Sequence, residues 1–145
     1  TMSASSDYLE KKLLDHALGT ASFTSPGTVF LALFTAGDSA GGTIDNLEAG
    51  DLSNEVTGNG YARQTISFNA ANASGTATNN GAVTFTASGG DFGTITHVAI
   101  MDTNSTSDSA GAGNVLFYGA LTASKTIEDG DSFQIADTNL SITLA

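Results

Sequence analysis

Cysteine and tryptophan are absent from the chain, proline occurs once, and only four residues are basic. Without cysteine there is no disulfide framework and no thiolate metal site, so the fold has to stand on packing alone. The two histidines, His16 and His97, lie far apart in sequence and give a zinc site little to draw on. No apolar run approaches the roughly 20 residues of a membrane-spanning helix. The opening residues lack a basic region followed by an apolar run, so a soluble chain without an export signal is expected. Thr1-Met2 fits a processed native end or a tag remnant.

The shortage of bases leaves 15 acidic residues against 4 basic ones, a formal charge of −11. Such a surface repels phosphate backbones and anionic lipid headgroups, which argues against nucleic acid and membrane as partners. It also keeps neighbouring copies apart in solution, less so as salt rises.

What the chain does have is glycine, 17 residues of it, and a 40% hydrophobic fraction over 145 residues. That is enough apolar material to fold and to bury one core, so residues 1–145 are expected to form a single domain. Glycine with abundant Thr, Ser, Asn and Ala disfavours long helices and suits short strands joined by tight turns.

One helix is expected, as an N-terminal arm over residues 5–19. Ser6 or Asp7 can cap it, Glu10 follows three residues after Asp7, and Gly19 supplies the stop. Tyr8, Leu9, Leu13, Leu14, Ala17 and Leu18 share an apolar stripe at helical spacing. A dozen residues make a marginal helix in water, so the stripe must dock on the chain's own sheet or on a neighbour. Tyr8, Leu9, Leu13, Leu14 and Leu18 are therefore candidate assembly contacts.

The β region is expected over 28–145. Thr28 to Thr35 is apolar on both alternating faces and reads as the central strand, covered on both sides. Residues 36–60 are Gly-rich and acidic without a clear period, and a projecting loop is expected there. Tyr61 to Phe68, Ala82 to Thr86, Thr94 to Met101, Asn114 to Leu121 and Asn139 to Leu144 read as strands, with a linker between Phe68 and Ala82. Lys125 to Glu128 and Ser132 to Ile135 read as a hairpin across Asp129-Gly130-Asp131. Seven or eight short strands give a mainly β fold, a β-sandwich or jelly-roll-like barrel with one short N-terminal α-helix. No repeat at a fixed period is visible, which disfavours a propeller, a solenoid or a repetitive shaft.

Few residues point to chemistry. Gly37-Asp38-Ser39-Ala40-Gly41 matches G-x-S-x-G, but glycines rather than a helix follow Ser39, and His97 lies within an apolar strand. A serine hydrolase using Ser39 is a remote alternative. Asp102-x-Asn104-x-Thr106-x-Asp108 offers oxygen ligands at alternate positions, yet Ser107 and Gly113 stand where a calcium loop needs Gly and Glu. Neither a catalytic residue, a metal ligand nor a cofactor is expected. His16 sits near the helix C-terminus, where a capping role is expected. Asn72, Asn104 and Asn139 fit the glycosylation sequon, a chance match in an Asn- and Ser-rich chain. Arg63, the only arginine, lies beside Tyr61 and is a candidate structural cation, paired with a carboxylate or stacked on a ring.

The order of these segments resembles a family of small tailed-bacteriophage virion proteins, often described as phage tail fibre proteins. Tyr8-Leu9-Glu10 with Lys12 to His16 is similar to the family's opening helix, and Phe30 to Ala36 to its first strand. Glu55-Val56, Gly60-Tyr61-Ala62-Arg63, Thr78-Asn79-Asn80, Asp91 to Val98, Leu116 to Leu121, Lys125-Thr126-Ile127 and Gly130-Asp131 follow in the same order. The resemblance implies a non-enzymatic structural protein of the virion, assembled in the bacterial host cytoplasm, with no cofactor. Its implied partners are the major capsid protein or tail proteins, together with further copies of itself, a trimer for example. One compact acidic chain suits a capsid decoration (cement) subunit, with a tail fibre or host-adhesion module as the alternative.

Overall fold

The computed structural model describes residues 4–37, 47–106 and 111–144. In chain order the elements are β1 (Ala4–Ser5), α1 (Asp7–Ala17), β2 (Val29–Phe34), β3 (Gln64–Ile66), β4 (Thr76–Thr78), β5 (Val83–Thr86), β6 (Gly93–Met101), β7 (Val115–Ile127), β8 (Ser132–Ile135) and β9 (Ser141–Thr143). The protein is mainly β with one short N-terminal helix. A five-stranded antiparallel sheet, ordered β1-β7-β6-β2-β3, is joined by two ribbons, β4–β9 and β5–β8. These sheets do not close on themselves, so the barrel version of the expected architecture does not form.

The apolar run from Leu31 to Phe34 is fully buried on both alternating faces, as a strand covered on two sides requires. Its place is nevertheless one step from the middle, because β6 lies at the centre between β7 and β2. Val98 to Met101 of β6 are equally buried, and they pair with Leu33 to Phe30. The predicted hairpin between residues 125–128 and 132–135 is also revised. Gly130 does turn the chain at φ 84°, with the Asp131 N–H on the Glu128 carbonyl at 2.9 Å. Lys125 and Thr126 then belong to the long β7 and pair with Ile95 and Thr94, while β8 pairs with β5. Alternation explains the choice: Val83 and Phe85 face Ile135 and Phe133 in register, all four buried. Along β7, Leu121 to Ser124 stand opposite the single residue Thr96 of β6, an irregularity that leaves Thr122 to Ser124 exposed.

The helix is capped by Ser6, whose hydroxyl oxygen accepts the Leu9 N–H at 3.2 Å. The N–H groups of Ser6 and Asp7 donate to the carbonyls of Leu116 and Glu48, so the first turn is tied both to β7 and to the turn at 47–50. Gly19, at φ 77°, ends it.

Two expectations about loops change. In the described part of the expected projecting loop, residues 47–60, Leu47 and Val56 are buried in the core, and Glu55 bridges to Phe34. That part lies against the sheet; residues 38–46 lie outside the described residues. The expected linker between Phe68 and Ala82 contains β4 and, next to it, the fully buried Asn79. Asn79 Oδ1 accepts the Leu140 N–H at 2.9 Å, and its Nδ2 donates to the carbonyls of Gly81 and Ala136 at 2.8 and 3.0 Å. Its carbonyl also receives the N–H of Thr138, a β-branched residue held at φ 64°.

Candidate functional site

Two places concentrate what this chain can do: a buried polar cluster around Arg63, and an apolar surface made by α1 and the β4–β9 ribbon. Arg63 immediately precedes β3. Its Nε and Nη2 donate to the two carboxylate oxygens of Glu55 at 2.7 and 2.9 Å, a bidentate pair in which both side chains are wholly buried. Nη1 donates to the carbonyls of Thr103 and Ala112, at 2.9 and 2.7 Å. The guanidinium therefore ties together both ends of the segment that joins β6 to β7. Asp102 and Asn114 reinforce that neck, since the Asn114 backbone N–H and side-chain amide both donate to the Asp102 carboxylate.

Tyr61 completes the cluster. Its hydroxyl donates to Glu55 at 2.8 Å and accepts the Leu33 N–H at 3.0 Å. Its ring stacks on Phe85 and meets the ring of Phe92 edge-on. Burial, then the neighbouring Glu55 charge, push the Tyr61 hydroxyl far above the usual phenol range. Because the folded state holds this proton more tightly, the contribution is complete below the ordinary pKa near 10 and declines as pH rises beyond it. Tyr61→Phe should cost about 1–3 kcal/mol at pH 7 by stranding the Leu33 N–H and removing a donor from Glu55. Urea titrations should then show that penalty shrinking above pH 10, where only the parent has a proton at this position to lose. A gap that is constant with pH would mean that the Tyr61 hydroxyl is solvated.

The apolar surface is different in kind. The stripe read from the sequence divides: Leu9 enters the core, Tyr8 and Leu13 pack half-buried against it, and Leu14 and Leu18 stand 61% and 74% exposed. Leu13, Leu14 and Ala17 border a shallow hollow with Leu144, edged by Ser5 and Glu10. Leu144 is shared with a deeper groove of about 210 Å³, lined among others by Phe68, Ala71, Ala77, Phe117 and Ile142. Among the described residues no charged side chain lines the groove. Leu144 thus joins the apolar side of the helix to the groove. Sequence periodicity found the helix half of the apolar surface. The groove was not legible, because its lining is gathered from β2, β6, β7 and the β4–β9 ribbon.

The remaining sequence candidates among the described residues are not drawn into a site. Ser39, Asp38 and Asp108 lie outside the described residues. His97 Nδ1 is 2.8 Å from the Thr96 hydroxyl, and the ring packs so closely on Gly37 that a Cβ there would come within 2.6 Å of Nε2. Asp102 uses both carboxylate oxygens on Asn114, as described. His16 does not cap a carbonyl: its Nδ1 accepts the Phe23 N–H at 3.1 Å, fixing the chain beyond the helix. Among the described residues no group of three or more His, Cys, Asp or Glu side chains is gathered to hold a metal ion. No described helix is long and apolar enough to cross a membrane.

Fold and surface together define an antiparallel β protein with an N-terminal helix beside an open apolar groove. The chain belongs to the family described as podophage GP4 fiber I protein gp80, whose model matches residues 4–143. No curated protein matches it.

Proposed function

We propose that this chain is a non-enzymatic structural subunit of a podophage fibre, held to other virion proteins through the apolar surface that Leu14 and Leu144 border. The observation that carries this reading is the family match over nearly the whole chain, to a family described as a fiber protein. The architecture supports it. The buried polar groups that stand out, Glu55, Tyr61, Arg63 and Asn79, are engaged in holding loops and strands together, and the open concave surface is apolar. An exposed apolar patch of this sort on a strongly acidic chain is the usual mark of a protein contact. A place over the capsid as a decoration subunit, which size and charge alone suggest, has less support than a fibre. Gold-labelled antibody to the chain, applied to purified particles, should mark tail-attached appendages. Uniform labelling of the capsid shell, with hundreds of copies per particle, would overturn the fibre reading.

A further inference from the structure

An asparagine followed directly by glycine exposes its side-chain amide to attack by the next backbone nitrogen, because glycine adds no side chain to crowd the approach. The chain has two such pairs, Asn59-Gly60 and Asn80-Gly81, and both asparagines are exposed. The fold treats them in opposite ways.

Asn59 is clamped. Its Nδ2 donates to the Asp91 carbonyl at 2.8 Å, and the amide lies so close over Gly90 that a Cβ there would come within 2.6 Å of Oδ1. Its backbone carbonyl accepts the Ser88 N–H at 2.9 Å. The amide that would have to turn back on Gly60 is committed to the turn at 88–91. Asn80 has the reverse arrangement. Its backbone N–H donates to the Ser67 carbonyl at 2.8 Å, whereas its side-chain amide forms no hydrogen bond with the described residues. Gly81 is held from both sides: its carbonyl accepts from the Asn79 side chain, and its N–H donates to Asp137 Oδ1 at 2.8 Å. Nothing lies within 4 Å of the place where a Cβ on Gly81 would stand. A carboxylate thus rests on the one proton that the attacking nitrogen has to lose, beside an amide free to swing onto that nitrogen.

We propose that Asn80-Gly81 is a self-modification site, at which the Gly81 nitrogen attacks Cγ of Asn80 with Asp137 as the base. The new bond joins Gly81 N to Asn80 Cγ, the proton of that nitrogen passes to Asp137 and on to the departing amine, and the Cγ–Nδ2 bond breaks to release ammonia. Water then opens the cyclic imide at either carbonyl, leaving aspartate or its β-linked isomer. Either product adds a carboxylate. The isomer also adds a methylene to the backbone beside Asn79, the buried amide that fixes Leu140 and Ala136. The chain therefore carries a slow chemical clock at a corner of its own scaffold, whether or not the particle uses it as a fibre.

Peptide mapping by mass spectrometry of the full chain, aged in mildly alkaline buffer, tests the site without any variant. Asn80 should convert, and Asn59 should do so at least roughly tenfold more slowly, since its amide has first to break from Asp91. In urea the two should convert at similar rates. Asp137→Asn can still accept the Gly81 N–H but is no base, so with an unchanged circular dichroism spectrum it should slow conversion at Asn80 roughly tenfold or more. A role for Asp137 in positioning alone predicts no slowing, because the asparagine oxygen holds the N–H as before and a loosened corner closes the ring faster. An Asn80 that stays intact, or equal rates at the two sites in the folded chain, would overturn the assignment of the site. Conversion in Asp137→Asn at the parent's rate or faster would overturn the base.

Discussion

Replacing Arg63 with Met should lower the stability of the protein by about 3–5 kcal/mol, enough to consume much of the margin of a typical domain. Glu55 would keep its charge in a site with no accessible surface and lose both of its guanidinium donors. Thr103 and Ala112 would be left with carbonyls stripped of their partner. Denaturant midpoints measure the effect, and if Arg63→Met does not accumulate, Arg63→Lys and Glu55→Gln supply it. Lysine brings a compact ammonium in place of a planar fork and cannot serve Glu55 and the two carbonyls in the same geometry. Its variant should fall between parent and Met. The double replacement Glu55→Leu/Arg63→Met relieves the lone charge but still orphans the two carbonyls, so it should recover only part of the loss. A cost under about 1 kcal/mol for Arg63→Met, the range of a solvated pair, would show that water reaches the cluster.

Asn79→Ala should be nearly as damaging, at about 3 kcal/mol. One amide there satisfies three backbone groups, the Leu140 N–H and the carbonyls of Gly81 and Ala136, and each buried group left alone costs about 1–3 kcal/mol. The corner it organises also keeps Thr138 in the left-handed region, which stores a further increment of strain. Asn79→Asp separates the two halves of the amide. The carboxylate can still accept from Leu140, but it faces two carbonyl oxygens with nothing to donate, so at pH 7 this variant should be no better than alanine. Acidification should restore part of its stability as the carboxyl regains a proton that it can donate. A pH-independent Asp variant, or an Ala variant within about 1 kcal/mol of the parent, would refute this account of the corner.

Both positions show where sequence reasoning reaches and where it stops. Arg63 draws attention as the lone arginine of an acidic chain, and its pairing with some carboxylate follows from that. Which carboxylate does not follow, because Glu55 sits in an irregular segment whose path depends on Leu47 and Val56 finding the core. Asn79 lies in a run of small polar residues that carries no hydrophobic period, so neither its burial nor β4 is visible beforehand. The half-buried Thr76 to Thr78 form a strand because β9 supplies the partner, with Thr76 and Thr143 hydroxyls 2.8 Å apart. Helix boundaries were legible from Ser6 and Gly19, β2 from its apolar run, and β3 and β5 from their alternation. The direction in which the leucine stripe faces was not, since Leu9 and Leu14 look alike until β7 is in place.

The way Arg63 grips the chain at Thr103 and at Ala112 bears on how this protein can diverge. Once those two points are pinned, the places where the chain leaves β6 and enters β7 are held by one side chain. Lengthening that span would be charged only the entropy of a longer closed loop, about 0.6 kcal/mol for each doubling. A change of length there should therefore leave the two pinned ends, and with them the run of β6 and β7, where they are.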